Sequence, residues 1–342
     1  VIGNQKTSPI AEFPVPEIVR TSDIRKFALA EKPLQLFTEF YKTNRVDTGI
    51  SNNFRPTGLA KIDNALMLNY INWYDASGSE TDTTIIFWNS KDLSNSKAYG
   101  PYQLQGAAHA AGWISEIPTE LQSLLGGTHI AGSQPFASII SRLSVGPSAF
   151  SFDARENVIY APSGKIPTSP LLDFSLKQIL RDKSTYPIVT DVNSILYNRD
   201  GRNKLWTILS NAAYGFIIPN TRTYLTIGFS GGHESGIGYK ITQNNGNQCG
   251  GQCAKDANDT YPYYWAWDVS DLVKVKLGLM APHDVEPYDY GLFPLPESIK
   301  SIAITSGSFD KYNDRLFISI RNGDNLHAYN RAPLFLVYKV HQ

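Results

Sequence analysis

Short runs of apolar and alternating apolar–polar residues recur along the chain at intervals of about 10 residues. They are rich in β-branched and aromatic residues, and turn-forming residues separate them. An amphipathic helix would instead repeat its apolar positions with a period near 3.6 residues. The pattern therefore predicts an all-β fold, with strands at 58–62, 65–70, 84–88, 138–143, 214–218, 224–229, 263–268, 301–304, 315–320 and 334–340.

A few stretches depart from this pattern. Residues 24–29 and 118–125 predict short helices. Residues 1–32 carry three prolines and no sustained period, which predicts an extended N-terminal arm or edge strand. The Pro-rich and Gly-rich stretches are short and scattered, so no linker is visible. We therefore expect one domain over residues 1–342.

The composition agrees with many short strands joined by tight turns, as in a sandwich, barrel or propeller. The 342 residues include 26 Gly, 20 Pro, 19 Tyr, 16 Phe and 6 Trp. Tyrosine and tryptophan rings also suit the flat faces of sugars, although the same rings fill β cores.

Charge and hydropathy narrow the range of partners and locations. The 31 basic and 31 acidic residues balance, so no overall field attracts nucleic acid, and an acidic ligand would need a local basic patch. No run approaches the ~18 apolar residues that a membrane span requires. The chain begins with Val1, which removal of a signal peptide would explain and a chosen chain boundary would explain equally well. We expect a secreted or extracellular protein that binds neither nucleic acid nor membrane.

Two histidines lie twenty residues apart in similar settings of small residues. His109 stands in QGAAHAAGW and His129 in LGGTHIAGS. Small neighbours leave an imidazole open to a ligand or let another backbone approach closely. The two residues are therefore candidates for a site, and the alternative is a pair of turn histidines bonded to backbone carbonyls.

The two cysteines lie close to a third histidine. His233, Cys249 and Cys253 fall within one Gly-rich segment. Two thiolates and an imidazole are typical ligands of a structural zinc ion, with His327, His283, Asp256 or water as the fourth ligand. The alternative is a Cys249–Cys253 disulfide, which suits an exported protein. We expect a structural metal ion, zinc by ligand type, and no organic cofactor.

Tyrosines and arginines between these regions offer a further chemistry. Arginine binds a carboxylate through two hydrogen bonds, and a tyrosine hydroxyl becomes an acid or base once nearby cations lower its pKa. The candidates are Tyr186, Tyr197, Arg199, Arg202, Tyr214 and Arg222.

Other catalytic patterns are weak or absent in the sequence. A glycosidase needs two facing carboxyl groups, and no recognisable pair stands out among Asp153, Asp191, Glu234 and Asp268. Residues 228–232 match the Gly-x-Ser-x-Gly spacing of an esterase, but that motif requires a helix after the serine. A Gly-rich and then strand-like stretch follows instead, so we interpret the match as chance.

Five phrases over residues 55–290 resemble the β-propeller polysaccharide lyases of the ulvan lyase and rhamnose-glucuronate lyase type. They are RPTGLAKI, GGTHIAGS, ISRLSVGPSAFSFD, AYGFIIPNTRTYLTIGFSGGHESGIGYK and YYWAWDVSDL. The resemblance implies a seven-bladed β-propeller that cleaves uronic-acid polysaccharides by β-elimination. It also implies a histidine pair, a tyrosine and an arginine in the site, and a metal that supports a loop.

Carried onto this chain, the resemblance assigns the histidine pair to His109 and His129. It assigns the metal loop to His233, Cys249 and Cys253. The family's arginine follows its tyrosine by about sixteen residues, and Tyr186 with Arg202 fits this spacing. Rival candidates are the pair Tyr214 and Arg222, and Tyr239.

The resulting hypothesis is a lyase acting as a monomer on an anionic, ulvan-like polysaccharide. Arg202 would pair with the uronate carboxylate, and His109 or Tyr186 would remove the proton at C5. The other of these two groups would protonate the leaving oxygen, while His129 orients the sugar. The alternatives are a propeller glycoside hydrolase and a non-catalytic carbohydrate-binding domain.

Overall fold

The computed structural model describes residues 10–37, 54–72, 74–75, 77, 82–133, 142–160, 164–299, 302–326 and 331–340. The chain divides into two compact units. Unit 1 comprises Val1–Leu143 and Ala149–Leu171, and unit 2 comprises Ser144–Ser148 and Leu172–Gln342. The sequence predicts one domain over both units, and this stays a prediction.

The described residues of unit 1 form short, mostly antiparallel strands and one α-helix, α1, at Thr119–Leu125. The strands form a two-stranded sheet β1-β2, a five-stranded sheet β10-β6-β5-β4-β3 and a four-stranded sheet β11-β9-β8-β7. Only β10 runs parallel to its neighbour among the described pairings of these sheets. The strands are β1 Ile10–Glu12, β2 Gln35–Phe37, β3 Phe54–Ile62, β4 Ala65–Asn72, β5 Thr84–Trp88, β6 Lys97–Leu104, β7 Ile114–Glu116, β8 His129–Ala131, β9 Ala149–Phe152, β10 Lys165–Ile166 and β11 Ser169–Leu172.

The core of unit 1 joins its two larger sheets. Met67 of β4, Ile86 of β5 and Phe152 of β9 belong to one buried apolar cluster. Gly58 of β3 permits close approach of the chain before β7, because a Cβ at this position would lie 2.0 Å from the carbonyl oxygen of Gly112. A side chain at position 58 would therefore force the backbone apart.

The part of unit 2 that the structure describes contains two further large sheets and two helices, α2 at Val192–Leu196 and α3 at Val269–Lys276. The sheets are the four-stranded β12-β13-β16-β17, the two-stranded β14-β15 and the three-stranded β18-β19-β20. The strands are β12 Asn211–Ile217, β13 Thr223–Gly231, β14 Ile237–Tyr239, β15 Gln252–Ala254, β16 Thr260–Asp268, β17 Asp289–Leu292, β18 Ile304–Asp310, β19 Arg315–Ile320 and β20 Leu334–Lys339.

Tryptophans of β16 fill the core of unit 2. Trp265 and Trp267 are completely buried. Their indole N–H groups donate to the carbonyl oxygen of Leu205 at 2.9 Å and to the hydroxyl of Thr226 at 3.0 Å. Buried polar groups need such partners, so the two tryptophans fix the position of β16 as well as filling space.

The all-β prediction is confirmed, as are the short helices, which begin at Ile24 and Thr119. Ile10–Glu12, within the expected arm, forms an edge strand. The predicted strand at 138–143 lies largely outside the described residues. The expectation of seven blades is wrong, because the described residues form four sheets of three to five strands. Within the same residues, no helix is long and apolar enough to span a membrane.

Candidate functional site

Tyr186, Asp200 and Arg202 form a compact polar group in unit 2. The Tyr186 hydroxyl donates to Asp200 Oδ1 at 2.8 Å. Arg202 donates from Nε to Asp200 Oδ2 at 2.9 Å, and its Nη2 lies 2.9 Å from the same oxygen. The guanidinium carbon lies 5.3 Å from the centroid of the Tyr186 ring, within the range of a cation–π contact. The structure thus brings together the predicted tyrosine and arginine through a carboxylate that the sequence did not single out.

Two tight turns position these side chains. The Asp182 carboxylate accepts hydrogen bonds from the backbone N–H and hydroxyl of Ser184, which orders the chain before Tyr186. After α2, the carbonyl of Asn198 accepts from Gly201 N at 3.2 Å and closes the turn that carries Asp200. Asp200 Oδ1 then accepts from the backbone N–H of Arg202 at 3.1 Å. The carboxylate therefore fixes both the backbone and the side chain of Arg202.

The protonation states of this group are set by burial and by hydrogen bonding. Burial, and then the Asp200 carboxylate, raise the pKa of Tyr186 far above its ordinary value. Burial alone would raise the pKa of Asp200, but hydrogen bonds from Tyr186 and Arg202 outweigh it and lower that pKa. Tyr186 is therefore a stable hydrogen-bond donor, whereas the sequence hypothesis required cations to make its hydroxyl a ready acid or base.

Arg202 presents an open edge outside this group. Its side chain is 62% exposed, and Asp200 occupies only Nε and Nη2. Within the described residues, Nη1 has no hydrogen-bond partner in the protein. Because a guanidinium has five N–H donors in a planar fork, Nη1 together with the outer hydrogen of Nη2 can bind a second carboxylate.

The rival pair Tyr214 and Arg222 is not assembled. Tyr214 is buried in β12, and its hydroxyl oxygen accepts a hydrogen bond from Phe309 N at 3.0 Å. Arg222 lies in the turn between β12 and β13, and its Nη2 pairs with Asp268 Oδ2 at 3.1 Å. The other candidate, Tyr239, is exposed, with the Lys240 ammonium 5.2 Å from its ring centroid. Of the two predicted Tyr–Arg pairs, only Tyr186 and Arg202 are in contact.

His109 and His129 both lie in unit 1. His109 ends a 3₁₀ turn, Ala107–His109, that precedes β7. His129 is the first residue of β8, and its Nδ1 lies 3.0 Å from the hydroxyl of Thr128. In the register of the two strands, His129 lies opposite Glu116, the last residue of β7. The two histidines are therefore attached at opposite ends of this strand pair, and their predicted joint role stays a prediction.

The three expected zinc ligands have other partners in the structure, and the bound metal stays a prediction. Cys249 and Cys253 are joined in a disulfide, so the thiolates that would bind zinc are absent. His233 has a different partner, since its Nε2 lies within hydrogen-bond distance, 2.7 Å, of the Ser230 hydroxyl. No cluster of three or more metal-binding side chains occurs among the residues that the structure describes. The alternative left open by the sequence, a disulfide that closes a Gly-rich loop, is the one formed.

The proposed fourth zinc ligands are also distributed differently. His283 Nε2 contacts the Gln178 amide at 2.9 Å. Asp256 accepts a hydrogen bond from Asn258 N at 2.9 Å. His327 lies outside the described residues.

His233 ends a buried chain of hydroxyl groups that sequence reasoning missed. Thr207 N donates to Ser210 Oγ at 2.8 Å, and Ser210 Oγ lies 2.7 Å from Ser230 Oγ. If Ser210 donates to Ser230 and Ser230 donates to His233 Nε2, both hydroxyl protons are used in bonds of 2.7 Å. The opposite direction would leave the Ser210 proton with only Thr207 Oγ1, at 3.5 Å. The chain therefore favours a neutral His233 protonated on Nδ1.

The surroundings of His233 reinforce its neutral form. Burial lowers the pKa of His233 to about 4, against the opposing charge of Asp259. Its ring packs against Tyr261 and Tyr263, with centroid distances of 5.4 and 5.1 Å. Ser230 is the serine of the Gly-x-Ser-x-Gly match, and it is fully buried within a strand. The esterase reading therefore lacks the exposed turn that its chemistry requires.

The carboxylates that a glycosidase would need have local structural partners. Asp191 and Asp268 cap helices α2 and α3. Asp153 accepts from Glu156 N, and Glu234 pairs with Lys204. No two of these four residues are bonded to each other in the structure as described.

Comparisons with known proteins give little further information. No family model matches the chain, and no curated protein matches it. Among solved structures, the chain is similar to a luciferin-regenerating enzyme, with a TM-score of 0.34 and 8% sequence identity over 87% of this chain. The chain spans 63% of the length of that protein. A likeness this weak carries no argument about function.

Proposed function

We propose that this protein is a secreted polysaccharide lyase that cleaves a uronic-acid-containing, ulvan-like polysaccharide by β-elimination. The observation that carries the proposal is the contact of Tyr186 with Arg202 through Asp200. The sequence resemblance selected this tyrosine and arginine from spacing alone. The Cys249–Cys253 disulfide is compatible with the expected extracellular location.

The open edge of Arg202 suits a uronate carboxylate. Two parallel N–H···O bonds to this group would draw negative charge away from C5 and make its proton more acidic. A base then takes the C5 proton, and the electron pair of the C–H bond forms the C4–C5 double bond. The C4–O bond breaks, and the glycosidic oxygen takes up a proton. The products are a saccharide with a free hydroxyl and an unsaturated uronate.

Tyr186 has a narrower role than the sequence suggested. Its proton is held by Asp200 and its pKa is raised, so we assign it to positioning Arg202 instead of proton transfer. The assignment of the base to His109, with His129 orienting the sugar, is a prediction that the resemblance supplies. The family's propeller arrangement is likewise a prediction that the resemblance supplies.

The test is to incubate the protein with glucuronate-containing polysaccharides and follow the ultraviolet absorbance of the new conjugated double bond. We expect Arg202→Ala to lower kcat/KM by about 100-fold, since it removes the carboxylate partner. Arg222→Ala is the matched control, because Arg222 also pairs with an aspartate and is 73% exposed. No rise in absorbance with any uronate polymer would refute the lyase proposal.

A non-catalytic uronate-binding protein is the second candidate. The Tyr186–Asp200–Arg202 group favours it, because Arg202 can bind a carboxylate while the Tyr186 proton is held in a hydrogen bond to Asp200. Polysaccharide binding that depends on Arg202, without any increase in absorbance or in reducing ends, would support this alternative. An increase in reducing ends alone would indicate a hydrolase.

A further inference from the structure

The turn that carries Asp200 and Arg202 depends on a buried asparagine. Asn198 directly follows the C-cap of α2 and has a positive φ of 48°. It is only 1% exposed. Its backbone carbonyl accepts the hydrogen bond from Gly201 that closes the turn. A polar side chain buried this deeply requires partners for its amide.

The Asn198 amide connects the turn to the end of β13 and to its own exit. Nδ2 donates to the carbonyl oxygens of Gly232 at 2.8 Å and His233 at 2.9 Å. Oδ1 accepts from Asn203 N at 2.7 Å. One side chain therefore ties both ends of the 198–203 segment to a buried strand terminus.

A second asparagine completes the attachment. Asn203 Nδ2 donates to the carbonyl oxygens of Ile195 at 2.9 Å and Trp206 at 2.7 Å. Lys204, the next residue in the chain, donates from Nζ to His233 O at 2.7 Å. The ends of the turn are thus held by buried hydrogen bonds, while the Arg202 side chain extends into solvent.

We propose that Asn198 is a positioning residue for the carboxylate-binding site at Arg202, which rests on the proposed function. Asn198 touches no substrate. It acts by holding the turn in which Asp200 orients the guanidinium. Without its amide the turn gains freedom, and a ligand must order it on binding, which lowers affinity.

Asn198→Gly tests this role without adding backbone strain, because glycine accepts a positive φ. Binding of a glucuronate oligosaccharide, measured by calorimetry, should weaken about 10-fold, equal to about 1.4 kcal/mol. Asn69→Ala is the matched control in unit 1. Asn69 is also fully buried, and it donates to Gly112 O and accepts from the Thr84 hydroxyl. The Asn69→Ala variant should lose stability but keep wild-type affinity. Wild-type affinity in Asn198→Gly would overturn the proposal, as would an equal loss in both variants.

Hydrogen exchange separates this proposal from the proposed function. Peptides that cover 198–204 should exchange about 10-fold faster in Asn198→Gly, because the turn opens more often. The same peptides should be unchanged in Asn69→Ala. If the wild-type protein binds no uronate oligosaccharide, the proposed function fails and exchange alone decides the structural claim. Unchanged exchange in Asn198→Gly overturns the claim that Asn198 holds the turn.

Discussion

Arg202 and Tyr186 show why residue chemistry predicts a contact more easily than a role. Spacing and resemblance selected both residues, and the structure places them together. Their protonation chemistry depends on Asp200, which lies within the same turn but has no distinguishing pattern in the sequence. Burial, and then the hydrogen bond that Tyr186 donates to Asp200, raise the pKa of Tyr186. The third residue therefore affects what the other two can do.

His233 is the clearest case of a residue whose surroundings determine its charge. The folded protein keeps it neutral to about pH 4, whereas an exposed histidine takes up a proton near pH 6.5. The unfolded chain therefore binds the proton first as the pH falls. Stability should decline as the pH falls from 6.5 to 4, by about 3 kcal/mol in total.

We predict that the free energy of unfolding in urea falls by about 2 kcal/mol between pH 7 and pH 5 on account of His233. His233→Gln should remove this loss, because glutamine does not titrate while its carbonyl can still accept from Ser230. His283→Gln is the control, since it leaves the buried histidine in place and should retain the loss. An equal decline in the wild type and in His233→Gln would show that another group is responsible.

At the scale of elements, periodicity predicted the strands but could not count the sheets. The runs at 214–218 and 224–229 correspond to β12 and β13, because alternation and a turn are local signals. Counting blades from a sequence requires a clear internal repeat, and the repeats in this chain are weak. The seven-blade expectation therefore rested on resemblance and was wrong.

The β14–β15 hairpin shows a different limit. Two cysteines four residues apart fit either a metal loop or a disulfide, because both need sulfur atoms at short range. The structure distinguishes the two by the bond between the cysteines and by the placement of His233, whose Nε2 lies 2.7 Å from the Ser230 hydroxyl. Sequence spacing carries no information about that placement.

The disulfide predicts a definite alkylation pattern. After unfolding without reductant, iodoacetamide should add no label to the protein, because both sulfurs are bonded to each other. After reduction, two labels should appear by intact mass. Metal analysis of the untreated protein serves as the control. Two labels without reduction, together with one zinc ion for each chain, would contradict the disulfide and restore the metal site.

At the scale of the whole molecule, each unit has a buried core of its own. Unit 1 is centred on residues such as Met67, and unit 2 on residues such as Trp265. A core residue contributes through contacts with its immediate neighbours. Each core should therefore stabilise the unit that contains it.

We predict that Trp265→Ala costs about 3–5 kcal/mol, since it removes a large buried side chain and leaves the carbonyl of Leu205 without its donor. Native-state hydrogen exchange should show lost protection mainly in peptides from 172–342. Met67→Ala, of unit 1, should give the reverse pattern. Equal loss in both units from either substitution would contradict separate cores and indicate one cooperative domain, as the sequence predicts. The experiment therefore decides between two units that open independently and a single domain that unfolds as a whole.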